Sequence, residues 1–302
     1  MLKKNFTIII WFICSFYLLP NLTRAAENLN LAGNWRFSLD RDDLGISEKW
    51  FEKRLTEEIS LPGVLQSQGF GDDISTKTPW VLSLYDKNWF LREDYKEFAK
   101  KGATKVPFLS QPPKHYLGAA WYQKEIEIPA NWANKRIVLF LERPKWKSTV
   151  YVDGKEIGSN LSLVAEHEYD LGNLSTGKHL ISIRVDNRML MDYRPDAHSV
   201  SDSLGMSWNG IIGKIELRAT SLVWIEDAQV YPNWNDKTAT VKIKIGNSTK
   251  QSYLAIIKTS DFTSQPIEVA EKGSAFEFKL TYPNAKTWDE FHPNLIKETI
   301  KL

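Results

Sequence analysis

The residues STVYVDGKEIG, Ser148 to Gly158, decide the fold. They read as a strand, an Asp153-Gly154 turn and a second strand. Asp-Gly between alternating runs is the strongest short hairpin signal, because the tight turn that matches strand twist needs residues tolerant of positive φ. A hairpin makes neighbouring strands antiparallel. The residues on either side fit that pairing. RIVLFLER at 136–143 is nearly continuous and apolar, as in a strand covered on both faces, and WYQKEIEIP at 121–129 alternates. NWRFSLD at 34–40, HLISIRVDN at 179–187 and IIGKIELRA at 211–219 alternate as well. Helical signals are few. SEKWFEKRL at 47–55 predicts one short helix and LREDYKEFAKKG at 91–102 another, with Gly102 near its end. Neither supports a repeated strand–helix–strand pattern, so the fold class is all-β, built of antiparallel sandwiches.

A change comes near residue 220. From Ser221 the chain reads VWIEDAQVYPNW, KTATVKIKIGN, SYLAIIKT, SAFEFKLTYPN and NLIKETIKL, with strict alternation and short turns. This predicts a second, smaller immunoglobulin-like β-sandwich over 221–302. It offers five or six strands against the seven usual for that fold, so it is read as truncated, lacking a final strand.

The amino terminus is set apart from both. MLKK is basic, FTIIIWFICSFYLLP is apolar, and Thr23 and Ala25 are small residues suited to a cleavage site. That order is the layout of a signal peptide, 1–25. The apolar run is shorter than the ~20 residues of a membrane span, although an uncleaved anchor has a similar outline. Cleavage implies export to the periplasm or the extracellular medium. It also takes the formal charge from +2 to −1, because Lys3, Lys4 and Arg24 leave and no acid does. There is then no positive field to recruit nucleic acid. The one cysteine, Cys14, leaves too, and with it any disulfide, thiolate nucleophile or thiolate metal ligand. The five histidines are scattered without i, i+4 pairing, no glycine-rich phosphate loop follows a strand, and no serine sits in a nucleophile elbow. No cofactor or metal is expected.

Seven stretches now carry a resemblance by their order and spacing. They are LAGNWRFSLD at 31–40, LPGVLQSQGFGD at 61–72, GAAWYQKEIEIPANWANKRIVLFLER at 118–143, YVDGKEIGSNLSLVAEHEYDL at 151–171, GKHLISIRVDN at 177–187, WNGIIGKIEL at 208–217 and TWDEFHPNL at 287–295. Together they resemble glycoside hydrolase family 2, the β-galactosidase and β-glucuronidase family. The resemblance implies a jelly-roll sugar-binding domain over 26–220, then the immunoglobulin-like domain, then a catalytic (β/α)₈ barrel that bears both catalytic glutamates. A barrel needs at least ~200 residues, and the two sandwiches use the whole chain. The family's acid/base lies in an Asn-Glu pair, and no Asn here is followed by Glu. No catalytic residue is therefore assigned. The acids Glu93, Asp94, Asp192, Asp196, Asp202, Asp289 and Glu290 have no context that marks a nucleophile. The catalytic barrel is left as a possible partner on a separate chain.

Sugar binding needs other chemistry. A pyranose offers hydroxyls to Asp, Asn and His, and a C–H face to an aromatic ring. The stretch HSVSDSLGMSWNGIIGKIEL, 198–217, supplies His198, Asp202, Trp208 and Asn209 ahead of a strand. The resemblance implies that this loop touches substrate, with Asp202 as the contacting acid; an ungapped match on Gly210 sets Leu204 there instead. A second loop, QPPKHYLGAAWY at 111–122, places His115 or Tyr116 where the galactosidases carry Asn. Simpler roles stand beside these: turn hydrogen bonding for Asp202 and His198, packing for Trp208, backbone geometry for Gly210, and a proline-stiffened surface loop for 111–118. The function read from the sequence is the non-catalytic amino-terminal portion of an exported family 2 glycoside hydrolase, shaping a cleft for a β-linked glycan. The alternative is a stand-alone carbohydrate-binding or structural β-sandwich.

Overall fold

A computed structural model describes residues 27–106, 113–198, 200–204 and 207–302, so the leader assigned to 1–25 lies outside the described residues. In chain order the first strands are β1 (Glu27–Asn30), β2 (Gly33–Asp40), β3 (Glu57–Leu61), β4 (Gly63–Val64), β5 (Asp72–Asp73), β6 (Lys114–His115) and β7 (Ala119–Ile128). There follow β8 (Arg136–Lys145), β9 (Lys147–Val152), β10 (Lys155–Leu161), β11 (His167–Gly172), β12 (Gly177–Asp186) and β13 (Gly210–Thr220). One sheet has the order β1-β13-β8-β11, with β4 also on β13; the other has the order β10-β9-β12-β7-β2-β3. The β9–β10 hairpin turns at Asp153 and Gly154 with φ of 50° and 80°, as the Asp-Gly pair requires.

The alternation in β7 explains how the two sheets meet. Tyr122, Ile126 and Ile128 point into one core, where they join Trp35 and Phe37 of β2 and Ile137, Leu139, Leu141, Ile215 and Leu217 of the facing sheet. Each such side chain, fully buried, stabilises the fold by roughly 1.5–3 kcal/mol. Trp121 faces the other way, into a cluster with Phe51, Leu55 and Tyr151. The Phe51 and Tyr151 rings stack at 4.3 Å. The six-stranded sheet is therefore apolar on both faces.

The segment that covers this outer face includes 47–55, where a helix was predicted. It forms turns instead. Lys49 takes a φ of 54°, which breaks a right-handed helix. Gln123, fully buried on β7, donates to the carbonyls of Trp50 and Lys53 and accepts from Leu55 N–H. The backbone groups that a helix would pair internally are thus used to fasten the segment to the sheet. The second predicted helix is present in a tighter form, a 3₁₀-helix at Glu93–Ala99. Its Tyr95 and Phe98 pack on an aromatic cluster of Trp80 and Trp89, whose rings meet edge-on at 5.0 Å.

The smaller sandwich consists of β14 (Val223–Asn233), β15 (Thr238–Asn247), β16 (Tyr253–Ala255), β17 (Ile267–Val269) and β18 (Ser274–Thr281). The sheet β14-β15-β18 faces the pair β16-β17 across Val241, Ile243, Ile245, Ile257, Val269 and Leu280. The predicted strand at NLIKETIKL is absent apart from one antiparallel bridge, Lys258 to Lys301. That segment is held by a side chain: the Glu298 carboxylate accepts from Ser260 N–H, Ser260 Oγ and Tyr282 O–H. The chain is all-β, as its alternation indicates.

His167 gives the larger sandwich a pH response. It is fully buried on β11, with Nδ1 2.6 Å from Ser148 Oγ. Burial pushes its pKa below the ordinary 6.5, only partly offset by the Ser162 carbonyl. The unfolded chain then binds this proton more readily than the folded one, so stability falls as pH drops below 6.5. His179 runs the opposite way. Its burial is outweighed by bonds to Asp153 and the Ser175 carbonyl, which hold its pKa above 6.5, so its contribution is lost as pH rises through the raised value. Urea denaturation from pH 7.5 to 5 should show a shallower loss toward acid in His167→Gln than in wild type, by at most ~1.4 kcal/mol per pH unit. An unchanged slope would contradict the assignment.

Candidate functional site

The two loops singled out in the sequence meet at one end of the larger sandwich, and buried amides bring them together. Asn209, fully buried, donates from Nδ2 to the carbonyls of Gly118 at 2.9 Å and Val185 at 3.1 Å. Its Oδ1 accepts from Tyr122 O–H at 2.9 Å. Asn187, just past β12, repeats the device: Nδ2 donates to the Tyr116 carbonyl and Oδ1 accepts from Gly118 N–H. Gln66 links a third loop, donating to the Ser207 carbonyl and accepting from Asn209 N–H. Gly210 follows at φ 149°, and a Cβ there would lie 2.3 Å from the Gly63 carbonyl oxygen. Only glycine lets β13 start this close to β4.

On this base stand the more exposed groups. His115 Nε2 lies 2.7 Å from Asp202 Oδ2, with side chains 13% and 9% exposed. Asp202 Oδ1 accepts from Ser207 N–H at 3.0 Å. Among the described residues each carboxylate oxygen has one hydrogen-bond partner and keeps a lone-pair direction for a further donor. Trp208 is half-buried, with the Lys145 ammonium 5.6 Å from its ring centroid. His198 is exposed on the same loop as Asp202.

Two of the residues assigned to substrate contact have other work. Asn209 spends its amide on the three buried partners above, so it faces the protein and holds the loops. Tyr116 is 2% exposed, and its hydroxyl donates to the Ala119 carbonyl. Burial pushes its pKa far above the ordinary 10, so the phenol stays a proton donor within the fold. Trp208, half-buried, packs part of its ring and leaves part open. Lys145 and Asn187 were not singled out in the sequence. Lys145 ends the continuous apolar run RIVLFLERPK and Asn187 the alternating run HLISIRVDN, and a polar residue at the end of a strand that leads into a loop is the signal that marks them.

Acids elsewhere are engaged by cations. Arg188 bonds both Asp186 and Asp43, and Arg184 bonds Asp43 as well. Burial works to raise the Asp43 pKa, but the hydrogen bonds from Arg188 and Arg184 outweigh it and hold the carboxyl below its ordinary value. Asp43 is thus unsuited to donate a proton. Among the described residues no group of three His, Cys, Asp or Glu side chains is placed to hold a metal ion.

No family model matches the chain. Among curated proteins it is 22% identical to a β-galactosidase of Thermoanaerobacter pseudethanolicus over 252 residues, covering 76% of this chain and 33% of that protein. It is 19% identical to a β-glucuronidase of Paenibacillus borealis over 288 residues, covering 90% of this chain and 41% of that protein. Among solved structures, a β-glucuronidase from an uncultured Clostridium sp. superposes with a TM-score of 0.55 at 20% identity, over 91% of this chain and 42% of that one. A Ruminococcus gnavus β-glucuronidase in complex with D-glucuronic acid superposes at 0.57 and 17% identity, over 94% and 44%. At these identities the superpositions speak for the fold. The homologues of this chain are β-galactosidases and β-glucuronidases of glycoside hydrolase family 2, and it spans between 33% and 44% of their length.

The buried amide is the testable part of this geometry. Asn209→Ala removes the acceptor of Tyr122 O–H and a donor to the Gly118 and Val185 carbonyls, the first of which keeps Asn187 N–H, and should destabilise the larger sandwich by ~1–3 kcal/mol in thermal or urea denaturation. A change below about 0.5 kcal/mol, the range of ordinary surface substitutions, would show that the knot does not hold the loops.

Proposed function

We propose that this homologue of family 2 glycoside hydrolases supplies binding walls for a β-linked carbohydrate and leaves bond cleavage to carboxyls outside its own two sandwiches. In this reading 26–220 is the jelly-roll sugar-binding unit and 221–302 the immunoglobulin-like one. The observation that carries the reading is the His115–Asp202 pair, which joins two separate loops at one rim of a rigid sandwich with a half-buried Trp208 on the same loop as Asp202. Asp202 accepts from vicinal hydroxyls with its remaining lone pairs. His115 fixes the carboxylate's orientation and Trp208 packs on the C–H face of the ring. Loops on rigid scaffolds commonly carry such contacts.

Cleavage by a retaining mechanism needs two carboxyl groups about 5 Å apart across the scissile bond. The buried acids among the described residues are each taken up by the fold, Asp186 by arginines and Asp40 by Trp121 Nε1 and backbone N–H groups, so the proposal gives them no reacting role. A catalytic barrel partner would provide that pair. A place for it is the apolar groove of about 710 Å³ in the smaller sandwich, whose walls include Val230, Trp234, Leu280, Trp288 and Leu295. Export to the periplasm or cell exterior, by the leader at 1–25, completes the proposal.

Two measurements test it. Ligand-observed NMR with methyl β-glycosides should show binding by the isolated chain, reduced at least about tenfold (~1.4 kcal/mol) in Asp202→Ala. A panel of aryl β-glycosides should show no turnover above background. Turnover that disappears on changing a single acid of this chain would overturn the division of labour, and binding indifferent to Asp202 would overturn the site.

A further inference from the structure

The chain contains a single Asn-Gly dipeptide, Asn209-Gly210, and its asparagine is the buried amide that joins the loops. Asn-Gly is the asparagine context most open to attack by its own backbone. The residue that follows has no Cβ to crowd its nitrogen, and glycine reaches backbone angles that other residues avoid. Asn187 is the natural comparison. It is buried and bonded in the same manner, but Arg188 follows it. The fold restrains Asn209 on every side. Its side chain holds Tyr122 O–H and the Gly118 and Val185 carbonyls, its N–H donates to Gln66 Oε1, and its carbonyl accepts from Leu65 N–H. Gly210 begins β13 between Lys145 of β8 and Val64 of β4. The atoms that would react are adjacent in the chain, yet held in bonds that ring closure has to break.

We propose that Asn209 is a self-modification site: where the junction opens, it converts irreversibly to aspartate or isoaspartate, and the converted chain cannot rebuild the junction. The Gly210 backbone nitrogen attacks Asn209 Cγ. The new N–C bond closes a cyclic imide, the Gly210 proton passes to the side-chain nitrogen, and ammonia leaves. Water then adds to either imide carbonyl. Breaking the bond from the Gly210 nitrogen to Cγ gives aspartate, and breaking its bond to the backbone carbonyl carbon gives isoaspartate. Neither product keeps the amide donors that the Gly118 and Val185 carbonyls take up. A carboxylate instead sets negative charge against those oxygens in a site without solvent. Isoaspartate also lengthens the backbone, which spoils the register of Gly210 with Lys145 and Val64. The reaction is drawn from the opened population, because local opening decides access. The inference stands on the junction alone and does not depend on a carbohydrate ligand.

The experiment ages the full chain in mildly alkaline buffer, folded in one arm and in urea beyond the unfolding midpoint in the other. Peptide mass mapping follows conversion at each asparagine. In urea, Asn209 should convert faster than Asn187 and every other asparagine. In the folded arm its rate should fall at least about tenfold, as local closure requires. A folded Tyr122→Phe, which takes one hydrogen bond from Asn209 Oδ1, should convert faster than wild type. Urea is then removed, and size-exclusion chromatography separates refolded chains from those that fail to refold. Chains converted at position 209 should be depleted from the refolded pool, and Asn209→Asp should lower the melting temperature or prevent folding. Equal rates at Asn209 in the two arms overturn the proposal, as does a rate in urea no higher than that of Asn187, or a folded Tyr122→Phe protected as well as wild type. Converted chains that refold in undiminished share, with an unchanged melting temperature, overturn it as well.

Discussion

A single buried amide carries the arrangement. Asn209 lies where β13 begins, and its side chain reaches the carbonyls that end β12 and precede β7, together with the phenol of Tyr122 in the core. Three chain segments are thereby fixed at one point. The constraint is strong because it is dry: an amide with no solvent must find all its partners in the protein, and its partners must find it. Gly210 then allows the backbone to pass Gly63 at a distance that no side chain would permit. The exposed loop residues inherit their positions from this junction.

The same logic separates two kinds of polar group in the sandwich. Asn187, Asn209, Gln66 and Gln123 are buried and bonded chiefly to backbone, and their work is to fasten loops and the 41–55 segment to the sheets. Asp202, His115 and Lys145 stand closer to the surface, with bonding capacity left over. Their charges differ from those of the Asp43, Asp186, Arg184 and Arg188 network, where cation and anion are matched. An ion network that is already balanced stabilises its own geometry and has little affinity left for a ligand.

Much of the fold was legible in the residues. The Asp153-Gly154 turn and the period-two pattern of 119–128 reappear as strand, turn and register, because local backbone preference and burial agree there. The pattern misled where side chains override it. The segment 47–55 has a helix former's composition, but Gln123 captures its carbonyls and Lys49 turns left-handed. The segment 294–302 alternates like a strand but is held through Glu298, leaving one bridge. At the candidate site, Asp202 and His115 were found through a family resemblance, and their 2.7 Å contact across 87 residues could not be read from spacing. Asn209 and Tyr116 were given outward roles because an amide or a phenol has the same letter whether it faces a ligand or the core. Lys145 went unnoticed for the converse reason: a lysine is ordinary until its place beside Trp208 and Asp202 is seen in three dimensions.

The most direct test of the whole account is a crystal structure of the chain with methyl β-D-glucuronide at saturating concentration. The account requires the sugar at the rim, with its hydroxyls within hydrogen-bonding distance of Asp202 and its ring against Trp208. A sugar bound elsewhere on the molecule, with that rim empty, would contradict it.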